Sequence, residues 1–164
     1  MLHVFRSVLA LLILAAFLTA SPAMAEDFLG KSRGQTIYVP SYSHIYHGMK
    51  NRSVQLTTML SVRNTNPRET ITLTAVKYYD TDGNLVRNYL PEPVSVGSMA
   101  TREFIVALKD TQGGSGANFI VEWTSDKQVT NPIVETLMIS TESSLGISFL
   151  CEGRVIAERD GTKR

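Results

Sequence analysis

An all-β fold, an immunoglobulin-like antiparallel β-sandwich of about seven or eight strands, is what this sequence predicts. Three observations predict it. Apolar and polar residues alternate with period two in segment after segment, turn residues separate those segments at the spacing of a sandwich, and no long stripe of helical period interrupts them. With 164 residues, 43% of them hydrophobic and 19% charged, the chain has the length and composition of one folded domain rather than of a disordered tail.

Ser53 to Asn64 shows the alternation best, with Val54, Leu56, Leu60 and Val62 on one side and Gln55, Thr57, Ser61 and Arg63 on the other. Asn64-Thr65-Asn66-Pro67 ends that strand, because proline has no ladder donor and asparagine favours turns. Thr70 to Asp80 is rich in the β-branched and aromatic residues that suit a pleated surface. It sets Ile71, Leu73 and Ala75 on one face, then shifts to Tyr78, which predicts a bulge or a second buried face. Asp80-Thr81-Asp82-Gly83-Asn84 is a tight-turn signal, since Asp-Gly accepts positive φ, so Lys77–Asp80 and Leu85–Leu90 should pair. Pro91 and Pro93 close that unit, and Val94 to Val106 holds two short strands around Gly97-Ser98. After the glycine-rich Thr111–Asn118 loop, Phe119, Val121 and Trp123 share one strand face, and Ile133, Leu137 and Ile139 share another. A last pair aligns Ile147, Phe149 and Cys151, then turns at Glu152-Gly153 into Val155-Ile156.

Residues 1–25 stand apart as an export leader. Arg6 ends a short positive region, Val8 to Leu18 is a run of eleven apolar residues, and Ala23-Met24-Ala25 supplies a small-x-small cleavage site. That run is about half the roughly 20 residues a membrane-spanning helix needs. Cleavage after Ala25 and a periplasmic or secreted destination follow as expectations, with no transmembrane segment left in the mature chain. Residues 26–35 then read as an N-terminal tail, 36–157 as the sandwich and 158–164 as a C-terminal tail.

Without Arg6, fifteen basic residues balance fifteen acidic ones, and no basic block interleaves with aromatics, so nucleic acid is excluded as a partner. Cys151 is the sole cysteine, so no intrachain disulfide is possible and stability must come from the core. No cysteine lies near the cleavage site to accept a lipid.

Among candidate sites, His44 and His47 form an H-x-x-H pair, and neutral imidazole is a ligand for zinc or copper. On a strand, positions three apart face opposite ways, so a shared ion requires a bend and further ligands such as Asp82 or Glu135. Cys151 reads as a small buried hydrophobe continuing the Ile147 and Phe149 face, since no histidine follows it to complete a copper site. Gly113-Gly114-Ser115-Gly116-Ala117 approaches a nucleophile elbow but precedes a strand, not a helix. Glu135 shares the parity of Ile133, Leu137 and Ile139, which places a carboxylate on an apolar face, to be paired by Arg63, Arg87 or Arg102. With Glu122 it forms a two-carboxylate set of the kind glycosidases use. Tyr38, Tyr42 and Tyr46 recur at every fourth position and would share one face with His44 in an extended segment. Tyrosine combines apolar area with a polar tip, which makes this stripe the preferred contact surface. With His47 and the loop residues Gly114, Ser115 and Asn118 it forms the candidate binding surface.

Several stretches taken together resemble a secreted bacterial family called domain of unknown function 3124. They are Tyr38-Val39-Pro40 with Tyr42-Ser43-His44-Ile45-Tyr46, Val62-Arg63-Asn64-Thr65, Tyr78-Tyr79-Asp80-Thr81-Asp82-Gly83, Gly114-Ser115-Gly116-Ala117-Asn118-Phe119, Pro132-Ile133-Val134-Glu135 and Gly146-Ile147-Ser148-Phe149. The likeness covers about residues 35–156. The resemblance implies an envelope location and a role without an assigned activity, and it carries over no catalytic residue.

The sequence therefore predicts a secreted or periplasmic binding or accessory module without catalytic activity or cofactor, its partner an unknown protein or glycan of the cell envelope. The alternatives are a zinc- or copper-binding protein using His44 and His47, and third a carboxylate-based hydrolase. The leader is open to direct test: the exported protein should begin at Glu26 by N-terminal sequencing, and retention of Met1 would refute cleavage.

Overall fold

The computed structural model describes residues 30–140 and 146–159. The expected leader, residues 26–29 of the expected tail and residues 160–164 lie outside the described residues. Twelve strands are described, more than expected: β1 (Lys31–Pro40), β2 (His44–His47), β3 (Arg52–Gln55), β4 (Thr57–Arg63), β5 (Ile71–Tyr79), β6 (Leu85–Asn88), β7 (Val94–Val96), β8 (Thr101–Val106), β9 (Asn118–Thr130), β10 (Ile133–Ser140), β11 (Ile147–Glu152) and β12 (Arg154–Glu158). One sheet runs β12-β1-β9-β5-β6, with β7 also on β5. The other runs β11-β10-β4-β8, and β2 and β3 pair only with each other. Every pairing is antiparallel, which makes the molecule the all-β sandwich that the alternation predicts.

Between the sheets lies one apolar cluster. Phe119, Val121 and Trp123 of β9 and Leu60 and Val62 of β4 are fully buried in it, with Ile71, Leu73, Val76 and Tyr78 of β5. The change of parity within β5 is a bulge: Leu73 faces Trp123 and Ala75 faces Glu122, so Thr74 is the extra residue. That extra residue lets both Leu73 and Val76 point inward. The Asp80 turn also forms as expected, with Gly83 at φ +83°. Asp80 accepts hydrogen bonds from the Asn84 side chain and from the Asn84 and Asp82 amides, which hold its carboxyl below the usual range.

The segment read as one strand, Ser53–Asn64, is two. The Leu56 amide still bonds across the hairpin, to the Ser43 carbonyl at 2.9 Å, and from Thr57 onward the chain joins β10 and β8 as β4. Hydrophobic period shows which way side chains point but not which strand the backbone pairs with, so the exchange was invisible to it. The two strands around Gly97-Ser98 likewise go to different sheets, β7 to β5 and β8 to β4. Asn64 holds that crossing, its amide donating to the carbonyls of Glu69, Val96 and Gly97.

Two expectations need correction. Lys31–Gln35, read as tail, is the first half of β1, and Glu158, read as the start of the other tail, ends β12. Ser32 and Gln35 are polar yet buried, because both donate to the Glu158 carboxylate, at 2.6 and 2.8 Å, and a period-two hydrophobic search cannot see such a pattern. Ile133, Leu137 and Ile139 do not face the core. Val134, Thr136, Met138 and Ser140 do, and Ile133 and Ile139 are exposed. β10 lies between β4 and β11, its Leu137 level with Met59 on one side and Leu150 on the other, and this register decides the parity.

Tyr78 is closely packed, its ring 4.8 Å from that of Phe119 and its hydroxyl against Gly113. A Cβ at Gly113 would overlap that hydroxyl and lie 2.8 Å from the Ala117 Cβ. Gly113→Ala should therefore lower unfolding free energy by about 1–3 kcal/mol in urea titration, while Ser115→Ala stays within about 0.5 kcal/mol of wild type. Burial, with the Asp110 carboxylate second, pushes the Tyr78 phenol up to about 12. The unfolded phenol ionises near 10, so its contribution is full below that pH and lost as pH rises towards the folded value. Between pH 10 and 12 the urea midpoint of wild type should fall further than that of Tyr78→Phe. Equal falls would refute the assignment.

Candidate functional site

The aromatic segment and the glycine-rich loop, far apart in sequence, meet at one end of the sandwich. After Pro40 the chain leaves β1, and its amides bond to the loop, Ser41 to Ala117 at 2.9 Å and Ser43 to Gly114 at 3.0 Å. Pro40 and Asn118 are opposed in the β1–β9 ladder. The loop itself forms a 3₁₀ turn, Gly114–Gly116, clasped by Thr81 of the β5–β6 turn. The Thr81 amide and hydroxyl donate to Gly113 O, and its hydroxyl accepts from Gly116 N. Gly114 has φ +76°, and a Cβ there would overlap the Thr81 hydroxyl. These glycines are required by close packing. Ser115 is half-buried in this turn and is followed by β9, so the strand-turn-helix setting of a nucleophile elbow is absent here.

The tyrosine stripe is divided rather than shared on one face. Tyr38 lies on the outer face of its sheet, between the buried Ile37 and Val39. Tyr42 turns the other way and packs edge-on against Phe149, ring centroids 5.7 Å apart. Tyr46 stands on the β2–β3 hairpin, 58% exposed, with its hydroxyl 3.1 Å from His44 Nε2 and its ring edge-on to the imidazole. The division follows from the bend at Ser41 and Ser43, whose buried backbone is tied to the loop. His44 and His47 occupy opposite ends of the four-residue strand β2, opposed to Gln55 and Arg52, and so point to opposite faces. Among the described residues no group of three or more His, Cys, Asp or Glu gathers as metal ligands would.

The two carboxylates also separate. Glu122 is on the outer face of β9, its Oε2 2.7 Å from Arg159 Nη1. Glu135 is on the outer face of β10, its Oε1 3.2 Å from Arg63 Nε. They face away from each other across the whole sandwich, and each is ion-paired, which removes a shared acid and base pair. Cys151 does follow Ile147 and Phe149 on the inward side of β11, half-buried, and burial pushes its thiol above the ordinary value.

Two surfaces escaped the sequence reading. On the outer face of β11-β10-β4-β8, Leu150, Leu137, Met59 and Ile105 are opposed in one row across all four strands. Leu150 is 49% exposed and Ile105 56%, and Ile139 and Ile133 extend the patch along β10. The next row holds Glu152, Glu135 and Glu103, with Ser61 between the last two. The signal available in sequence was that β10 is apolar at both parities. The second surface is the hairpin tip, Gly48-Met49-Lys50-Asn51, with Met49 fully exposed. A separate open cleft of about 350 Å³ lies between Tyr89–Val94 and β8, with Leu90, Val94 and Phe104 below and Arg102, Glu92 and Glu103 at its rim. Of the residues singled out from sequence, Arg102, a candidate partner for Glu135, lines it.

No curated protein matches this chain. A solved structure described as Crystal Structure of Thermotoga maritima 1070 is similar to it at TM-score 0.45 and 11% identity, over 73% of this chain and 92% of that one. The family model described as protein of unknown function (DUF3124) matches residues 34–156, which takes in most of β1 through most of β12 and both segments of the candidate surface. The chain belongs to that family.

Proposed function

We propose that the domain is a non-catalytic binding or accessory module of the cell envelope, exported by the leader at residues 1–25, with the outer face of β11-β10-β4-β8 as its protein contact surface. The observation that supports this is the apolar row Leu150, Leu137, Met59 and Ile105, which spans the sheet with no layer of its own above it among the described residues. Contiguous exposed apolar patches on a folded domain mark interaction sites. Both carboxylates that were candidates for hydrolysis are held in ion pairs on opposite faces, which favours recognition over reaction. Beside the row, Glu103 and Glu152 have no basic partner among the described residues, so the fitting partner presents an apolar ridge flanked by Lys or Arg.

Covering one such side chain is worth roughly 1.5–3 kcal/mol. The Ile105→Asp, Leu150→Asp double variant should therefore weaken partner capture from envelope extract by about a hundredfold or more. Its thermal midpoint should stay near that of wild type, because both positions are exposed. Tyr46→Ala runs beside it to separate the sheet from the hairpin. Loss of capture in the double variant alone supports the sheet face. Loss in Tyr46→Ala alone moves the surface to the hairpin, and unchanged capture in both refutes the reading.

A further inference from the structure

The β2–β3 hairpin has the chemistry of a device for touching a charged apolar boundary. Among the described residues it pairs with no other strand; its base is closed by Leu56 N to Ser43 O and tied to the loop by Ser43 N to Gly114 O, and Val54 of β3 is buried. At its tip the turn needs Gly48 at φ +69° and Asn51 at φ +46°, and it throws Met49 fully into solvent at 105% relative exposure. A methionine held there loses the apolar contacts any folded core would give it. Lys50 and Arg52 flank it, both exposed and without a carboxylate partner among the described residues. One strand back, Tyr46 is held upright by the His44 ring and presents an aromatic body with a polar tip.

Charge adds a second, independent argument. Between Asp27 and Glu69 the sequence contains no acidic residue, while Lys31, Arg33, Lys50, Arg52, Arg63 and Arg68 fall inside that stretch. Of these, Lys50 and Arg52 are carried by the hairpin itself, while Arg63, at the far end of β4, is paired with Glu135. Among the described residues, Asp80 and Asp82 belong to the β5–β6 turn, which meets the hairpin's base through the 3₁₀ turn, and Asp110, beside Thr111, is paired with Arg87. Asp80 is occupied by its own turn amides.

We propose that the tip of this hairpin docks on an anionic phospholipid surface, with Met49 entering the acyl boundary, Lys50 and Arg52 at the phosphates and Tyr46 at headgroup level. An apolar side chain between cations, backed by an interfacial aromatic, is the arrangement that binds weakly and reversibly to such a surface. An acidic protein would satisfy Lys50 and Arg52 but would not by itself explain an apolar residue at the extreme tip. The proposal is independent of the sheet-face reading, since it uses none of the same residues.

The test is co-sedimentation of the mature protein with vesicles of phosphatidylcholine alone and of phosphatidylcholine mixed with phosphatidylglycerol. Wild type should sediment with the mixed vesicles at low salt and be released at about 0.5 M salt. Lys50→Ala with Arg52→Ala should lower the partition coefficient by about 30-fold, at the magnitude expected for two surface cations. Met49→Ser should lower it by about tenfold. Circular dichroism melts should show both variants folded as wild type, since the positions are exposed. Wild type that stays in solution with both vesicles, binding that ignores lipid charge, or variants that sediment like wild type would each overturn the proposal.

Discussion

Burial of Phe119, Val121 and Trp123 along β9 is the interaction on which the rest of this molecule depends. β9 is the central strand of the larger sheet, paired to β1 on one side and β5 on the other, and all three side chains are fully out of water. Each is worth roughly 1.5–3 kcal/mol when buried, a large share of the 5–15 kcal/mol that separates a folded domain from its unfolded chain. They can be buried only if the second sheet lies across them, with Leu60 and Val62 of β4 in the same cluster. The chain accordingly crosses repeatedly between sheets, and close approaches such as Gly153, where a Cβ would lie 2.7 Å from Ile37 and 2.8 Å from the Val134 carbonyl, are where those crossings are made.

A two-layer sandwich covers one face of each sheet and leaves the other to solvent. This explains why the charged residues on the outer faces, Glu122 with Arg159 and Glu135 with Arg63, are surface ion pairs of small energetic weight and not a catalytic set. It also explains why an apolar row on the outer face of β11-β10-β4-β8 matters. Nothing in the described fold requires Leu150, Leu137, Met59 and Ile105 to be apolar there. The glycine-rich loop, by contrast, is accounted for by structure: Gly113 and Gly114 make room for Tyr78 and Thr81, and the loop seats the base of the hairpin.

Much of the fold was legible. The alternation in β4 and β9, the bulge signalled by the jump from Ala75 to Tyr78, and the Asp82-Gly83 turn all follow from local rules that hold within one strand or one turn. The site was less legible because it depends on partners. Tyr38, Tyr42 and Tyr46 look equivalent in sequence, yet a bend whose cause lies at Gly114 and Ala117 sends one to an outer face, one against Phe149 and one onto the hairpin. Gln35 looked like tail because its burial is satisfied by Glu158, 123 residues away.

The sequence alone determined the class of the fold, the likeness to its family, the near balance of sixteen basic against fifteen acidic residues and the single cysteine. These are properties of composition and local period, which survive without knowledge of what lies beside each strand. Only the tertiary structure decided which side of β10 faces the core, where the strand at Leu56 changes partners, that Glu122 and Glu135 stand on opposite sides, and that Met49 projects alone. Each of these is fixed by strand pairing and by which sheet covers which face. Pairing is a long-range choice among backbones that carry the same hydrogen-bonding groups, and side-chain period cannot make that choice.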